Sequence, residues 1–265
     1  MEVDLEREVQ SSIFWFDGGL EPELAWLVRE FLPVGGTFVD CGANCGYIGL
    51  MARRLRHAKV LFVEPHPRLA ETVRRNLGLN GWLEECEVVE AAASESAGTV
   101  TLFESGDRDG SHSLLADWEN PSGSRREIAV AACTLSSLLE GRSGFERVDF
   151  LKIDTEGHDV AVLRGMGEWL CPPRVPVIYS EMGRDRESGW ELLTRAGYRG
   201  FGYRALTRQP MRRLMKRYGE GAPVALFHPL DSASSATSET VWVASRSAAA
   251  QFLESLAADP AAQPS

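Results

Sequence analysis

The chain alternates between short apolar runs and longer segments whose apolar residues recur every three or four positions. Thr37–Asp40, Val60–Glu64, Cys86–Ala91, Val148–Asp154 and Val175–Glu181 are runs of the first kind, rich in Val, Ile and Phe. Strands covered on both faces read this way. Between the first two runs, Ile48, Met51, Ala52 and Leu55 stand at i, i+3, i+4 and i+7 and predict one apolar helix stripe. Pro67 fits the first turn of the next helix, Leu69, Val73 and Leu77 repeat every four residues behind it, and Gly78 and Asn80-Gly81 mark its end. This pattern predicts an α/β fold, a parallel sheet with helices on both faces.

Two segments break the alternation. Residues 106–126 are rich in Gly, Ser, Asp and Asn and read as a mobile loop. Residues 204–238 contain PMRRLMKRYG, in which Pro210 and Gly219 bracket Met211, Leu214, Met215 and Tyr218 at the spacing of a short amphipathic helix. No internal repeat is present. The organisation predicted is an N-terminal helical segment over 1–34, one large domain over 35–246 with those two insertions, and a C-terminal helix and tail over 247–265 whose last stretch, ADPAAQPS, is expected to be disordered.

Composition narrows the function classes. The 265 residues are 44% hydrophobic and 25% charged, an ordinary globular balance. Lys and Arg number 28 against 38 Asp and Glu, a formal net charge of -10 that repels a polyphosphate backbone and makes nucleic acid an unexpected partner. The start, MEVDLEREVQ, lacks the basic and apolar parts of a signal peptide, and no apolar run approaches the roughly 18 residues that cross a bilayer. A cytoplasmic protein with no membrane partner is expected. The five cysteines, Cys41, Cys45, Cys86, Cys133 and Cys171, are scattered without a CxxC pair, so neither a disulfide framework nor a zinc site fits and small packing residues do.

The richest stretch is TFVDCGANCGYIGL, from Thr37 to Leu50. Asp40 ends a strand, Gly42 and Gly46 permit a tight bend and close ligand approach, and the helix that follows offers free backbone N–H groups. Glu64 ends the second strand, where a carboxylate accepts hydrogen bonds from both hydroxyls of a ribose. The plainer reading has Asp40 capping a helix and Glu64 on a surface loop. A dinucleotide fingerprint needs a middle glycine to admit pyrophosphate, and here Gly42-Ala43-Asn44-Cys45-Gly46 carries a side chain at that place. An acid before the bend repels phosphate but attracts the ammonium and sulfonium charges of S-adenosylmethionine. The methyl donor is therefore favoured, with a nicotinamide-dependent oxidoreductase and a non-catalytic cofactor-binding module as alternatives.

Three blocks, FVDCGANCGYIGL, FVEPHPRLAETVRRNLGLNG and VDFLKIDTEGHDVAVLRGM, together resemble in order and spacing the signature of the FkbM-type family of class I S-adenosylmethionine-dependent methyltransferases. The run Lys152-Ile153-Asp154-Thr155-Glu156-Gly157 is the most specific part. The resemblance implies a Rossmann-like, mostly parallel seven-stranded sheet in the order 3-2-1-4-5-7-6, its last strand antiparallel, with Tyr198–Tyr203 and Glu239–Ala244 as the final two strands. It implies O-methylation of a hydroxyl on a sugar, polyketide or peptide natural product. Methylation of a nucleic-acid base usually goes with an Asn/Asp-Pro-Pro-aromatic stretch where this chain has Asp154-Thr155-Glu156-Gly157.

The candidate cofactor residues are Asp40, Gly42, Asn44, Gly46, Glu64, Pro65, Ala92 and Asp154. An alcohol acceptor also needs a base. His158 is the first candidate and His112 the second, since imidazole titrates near working pH. Asp154, close to cofactor and acceptor in the family pattern, and Glu181, at another strand end, complete the catalytic set. Family members often carry a small or aromatic residue followed by Glu where this chain has His158-Asp159. Asp154, Glu156, Asp159 and Glu181 offer oxygen ligands of the kind Mg²⁺ prefers, although carboxylates at strand ends are equally expected without metal and none is anticipated. Finally, Arg204, Arg208, Arg212, Arg213, Lys216 and Arg217 crowd one insertion and suggest a lid over an anionic or carrier-bound acceptor, or simply a solvated helix face.

Overall fold

The structure, a computed structural model, describes residues 1–15, 20–104, 112–115, 126–183, 185–206, 213–216, 222–235 and 239–259. The N-terminal segment forms α1 (Glu8–Trp15) and α2 (Pro22–Phe31). Strands and helices then alternate as β1 (Thr37–Cys41), α3 (Tyr47–Arg56), β2 (Lys59–Val63), α4 (Pro67–Asn80) and β3 (Cys86–Val89). Next come β4 (Ala92–Ala93), β5 (Gly98–Glu104), β6 (Arg126–Cys133) and α5 (Leu135–Leu139). The second half runs through β7 (Phe150–Ile153), α6 (Asp159–Arg164), β8 (Val177–Glu181), α7 (Arg186–Arg195), β9 (Tyr198–Ala205), β10 (Ala225–Pro229), β11 (Glu239–Ala244) and α8 (Ala248–Ala257).

The main sheet has the order β3-β2-β1-β7-β8-β11-β9-β10. Its first five strands are parallel, and β11 is antiparallel to both neighbours. Without β10 this is the order that the family resemblance implies. The sheet therefore has eight strands among the described residues rather than seven. The extra one lies inside the second insertion and pairs antiparallel with β9 at the sheet edge. Its apolar face explains it: Phe227 is fully buried, stacks on Trp26 of α2 at 5.1 Å and joins the cluster that includes Leu253 and Leu256 of α8.

Successive strand residues feed opposite cores, as a side-chain period of two requires. Phe38, Val60, Phe62 and Phe150 pack with α2, α3 and α8, whereas Val39, Leu61, Val63 and Leu151 pack with α5, α6 and α7. Burying each such side chain is worth about 1.5–3 kcal/mol, so the two layers fix the sheet and with it the strand ends.

Several local expectations shift. In α3, Ile48, Leu50 and Ala52 are buried but Leu55 is 44% exposed, so the buried stripe is rotated from the predicted one. A Cβ at Gly49 would stand 2.2 Å from the Phe62 ring, and this close approach to the sheet turns the helix. Leu69, Val73 and Leu77 of α4 are buried, and the helix continues through Gly78 before Gly81 caps it. A second sheet of three strands, order β4-β6-β5, flanks the first insertion, most of which lies outside the described residues. Residues 213–216 are helical, with Leu214 buried against Ala222 and Leu226 and Met215 exposed, while Met211 and Tyr218 lie outside the described residues. The tail beyond residue 259 also lies outside them. Among the described residues no helix is long and apolar enough to cross a membrane.

Candidate functional site

In an open parallel sheet the ligand cleft forms past the carboxyl ends of the strands where the connections change direction, here between β1 and β7. A cleft of about 1120 Å³, counting its open mouth, occupies that place. The β1–α3 turn gives it Gly42, Ala43, Asn44 and Cys45; β2 ends at Glu64 and Pro65; β7 runs into Asp154, Thr155 and Glu156; β8 ends at Glu181. Ala92, Ala93 and Leu102 of the small sheet form a wall, and Ser113, bridged to Phe103, brings His112 in beside them.

At one end Glu64 is almost fully buried. Its Oε2 accepts the N–H of Asn44 at 2.8 Å and its Oε1 the N–H of His66 at 2.8 Å. Burial pushes its carboxyl up to about 7 even against those two bonds. Asn44 adopts φ 51, a left-handed backbone uncommon outside glycine, which aims its N–H at Glu64. Each oxygen keeps a lone pair for a further donor.

At the other end the charge is unbalanced. Lys152, 3% exposed, donates to the carbonyl of Gly42 at 2.9 Å and lies 3.4 Å from Asp40 Oδ1 and 3.3 Å from Asp154 Oδ2. Burial alone would lower its pKa, but Asp154, Asp40 and Glu21 together hold it above the usual lysine range. Carboxylate oxygens of Asp154, Glu156 and Glu181 converge within 4.8 Å. Burial, then the charges of Asp154 and Glu239, pushes Glu181 up to about 7. Glu239 stands directly opposite Glu181 on β11 and accepts a hydrogen bond from Tyr203.

The family model for the methyltransferase FkbM domain matches residues 40–219. The chain belongs to that family. Two relatives carry the same activity in their names. Methyltransferase sdnD of Sordaria araneosa is 32% identical over 52% of this chain and 62% of its own length. Methyltransferase 1 of Beauveria bassiana (strain ARSEF 2860) is 28% identical over 63% of this chain and 73% of its own. The aligned part of this chain thus spans less than two thirds of the first relative. Among solved structures, a precorrin-6y C5,15-methyltransferase from Geobacter metallireducens GS-15 aligns over 91% of this chain and 90% of its own at 12% identity, with a TM-score of 0.41. A SAM-dependent O-methyltransferase from Thermotoga maritima aligns over 84% of this chain and 64% of its own at 10% identity and TM-score 0.42. Membership of a methyltransferase family implies S-adenosylmethionine as cofactor.

Of the residues that sequence reading assigned to the cofactor of this FkbM-family chain, Gly42, Asn44, Glu64, Pro65, Ala92 and Asp154 line the cleft. Asp40 and Gly46 do not. Asp40 is fully buried behind the cleft, its Oδ2 accepting the N–H of Gly49 at 2.8 Å and its Oδ1 facing Lys152. Its charge is spent on the lysine, so it does not itself face a ligand. Gly46 caps α3 with φ 84 and packs toward Val73. Gly42, with φ 74, is needed for a contact within the chain: a Cβ there would stand 1.8 Å from the Asp154 carbonyl oxygen.

Among the catalytic candidates, Asp154, Glu181 and His112 line the cleft, but His158 does not. The Nε2 of His158 sits 3.0 Å from Ser94 Oγ, and burial lowers its pKa. Packing of α6 thus turns it away from the cleft. His112 stacks on His66 with ring centroids 4.9 Å apart, and burial plus the His66 ring lowers it to about 4. It lines the cleft as a neutral ring and, with its proton affinity lowered, is a weaker base than a free imidazole. Asp159 leaves the predicted metal set: it is buried, accepts the N–H of Thr155 at 3.0 Å and ties the Asp154 loop to α6. His66, Glu104 and His112 also converge, but His66 Nδ1 accepts the Arg68 N–H at 3.2 Å and Nε2 faces Glu104 at 3.1 Å, so both ring nitrogens are engaged. Of the basic run, Arg204, Arg213 and Lys216 are described and stand outside the cleft lining; Arg208, Arg212 and Arg217 lie outside the described residues.

Two residues were missed. Lys152 interrupts the apolar run Phe150–Ile153 and is the one polar side chain of a fully buried strand, a signal that could have been read. Glu21 lines the cleft from the N-terminal segment, and only its place before Pro22 hints at a fixed position. Cys41 and Cys45 are buried, and burial pushes the Cys41 thiol well up, consistent with packing residues.

Proposed function

We infer that the protein is an S-adenosylmethionine-dependent O-methyltransferase acting on a hydroxyl group of a small molecule, of the sugar, polyketide or peptide natural-product kind. The observation that carries this reading is the convergence of Asp154, Glu156 and Glu181 within 4.8 Å in the same cleft that holds Glu64. The residues suit the cofactor. Glu64 has lone pairs left for two ribose hydroxyls, and Ile48, Val63, Leu69 and Leu102 give an apolar wall for an adenine ring. When bound, S-adenosylmethionine supplies an electrophilic methyl group on a cationic sulfur.

The chain's part is orientation and proton removal. Glu181 is the proposed base: its proton affinity near neutrality matches the requirement that a base be free at working pH yet strong enough to take a hydroxyl proton. The proton passes from the acceptor hydroxyl to a Glu181 oxygen. Asp154, anchored by Lys152, orients the hydroxyl. Because Lys152 already supplies a fixed cation to Asp154, no divalent ion is proposed, and turnover should survive exhaustive EDTA treatment. An anionic or carrier-bound acceptor rests on the basic run alone.

A nicotinamide-dependent oxidoreductase fits less well, since Asn44 stands where pyrophosphate needs a bare backbone and its N–H is already bound to Glu64. The test is a mass-spectrometric screen of hydroxylated acceptors with isotopically labelled methyl donor. A single labelled methyl on one oxygen supports the reading; labelled transfer to nitrogen or carbon alone, or donor-independent redox turnover, contradicts it.

A further inference from the structure

The matched family domain begins at Asp40, yet the cleft has a wall contributed from before it. Leu20 and Glu21 both line the cleft. The Tyr47 hydroxyl, from the first turn of α3, donates to the Leu20 carbonyl at 3.0 Å and seats the segment there. Glu21 precedes Pro22 at the start of α2 and holds φ 51, a left-handed backbone uncommon outside glycine. Leu24, Leu27 and Val28 of α2 are buried in the main core, so the position is over-determined by packing behind it.

At that end acidic groups outnumber the one buried ammonium. Lys152 is the main neighbouring positive charge, and Glu21, Asp40, Asp154 and Glu239 face the same region, with Glu181 alongside Asp154. Burial holds Glu21 up to about 7, so a bound cation would be met by a carboxylate only part-ionised at neutral pH and would drive its proton off. The ribose end, at Glu64, is served by Asn44 and His66. The amino-acid portion of the methyl donor carries the α-ammonium group and must lie away from the ribose.

We propose that Glu21, in the cleft lining beside the Leu20 carbonyl that Tyr47 holds, is a carboxylate contact for the α-ammonium group of the methyl donor. The N-terminal segment thereby completes a cofactor site that the matched domain leaves open. The proposal rests on the cofactor reading given above.

Three probes separate the two. S-adenosylhomocysteine has both ammonium and carboxylate, 5′-(3-aminopropyl)thioadenosine keeps only the ammonium, and 5′-methylthioadenosine has neither. Calorimetry on the full chain at pH 8 should show Glu21→Gln weakening the first two by about tenfold or more, the scale of one charge-assisted hydrogen bond, and leaving 5′-methylthioadenosine within about twofold. Glu21→Asp should recover part of the loss, and Tyr47→Phe should weaken the same two ligands less. Unchanged binding of the ammonium-bearing ligands in Glu21→Gln overturns the proposal, as does equal loss for all three. If the unaltered protein binds none of the three, the cofactor reading itself falls.

Discussion

The two ends of the cleft are built on opposite principles. At the Glu64 end a buried carboxylate meets two backbone N–H groups from two different loops, each at 2.8 Å, so its position is set before any ligand arrives. At the Asp154 end carboxylates outnumber the one buried ammonium, and Glu181 and Glu21 are both held up to about 7. A satisfied acid is a rigid template. Burial holds Glu64 up to about 7 just as it holds Glu181 and Glu21, so what separates the ends is the pair of N–H bonds that fixes Glu64 and the like charges of Asp154 and Glu239 that crowd Glu181. On the proposed reading, recognition falls to the Glu64 end and chemistry to the Asp154 end, and the β1–α3 turn joins them.

The largest effect should come from breaking that joint. Gly42→Ala places a methyl group 1.8 Å from the Asp154 carbonyl oxygen on a backbone of φ 74, so the turn or β7 must move. A stability loss on the order of 3 kcal/mol or more is expected by denaturant unfolding, with cofactor binding lost as well.

Glu181→Gln separates chemistry from recognition. We expect kcat to fall by about 10²–10⁴ with the S-adenosylhomocysteine Kd within about threefold. In the unaltered enzyme kcat should rise with pH through about 7 as Glu181 ionises. Stability should move the other way. The folded state keeps the Glu181 proton up to about 7, whereas the unfolded chain releases it near 4.5, so folding loses stability as pH rises between those values. Thermal melts should therefore show Glu181→Gln gaining on the parent above pH 7 and not below pH 4.5.

Glu64→Gln should do the reverse at the other end. Its amide nitrogen would face a backbone N–H, and the affinity for S-adenosylhomocysteine is expected to drop by about tenfold while kcat at saturation changes little. Smallest of all, His158→Ala should leave kcat within about twofold and cost about 1 kcal/mol of stability through the lost Ser94 contact.

These contrasts also explain what the sequence could reveal. The parallel strands were legible because Val, Ile and Phe runs such as Val60–Val63 are buried on both faces, and α4 because Pro67 and the Leu69, Val73, Leu77 repeat agree. The β10 strand was hidden inside an insertion, since Ala225–Pro229 is short and its apolar face is explained only by α2 and α8, distant in sequence. Glu64 was readable from its place after β2. Asp40 was read correctly as buried at a strand end but wrongly as facing ligand, because no local pattern tells which carboxylate a lysine 112 positions away will take. His158 was misjudged for a similar reason: its partner, Ser94, comes from the small sheet.

The central claim is that one cleft holds the ribose at Glu64 and the amino-acid end of S-adenosylmethionine beside Asp154. A crystal structure of the protein with S-adenosylhomocysteine tests it most directly. The account predicts both ribose hydroxyls within hydrogen-bond distance of the Glu64 carboxylate and the thioether sulfur on the side of Asp154 and Glu181. Nucleoside bound in the opposite orientation, or outside this cleft, would contradict it.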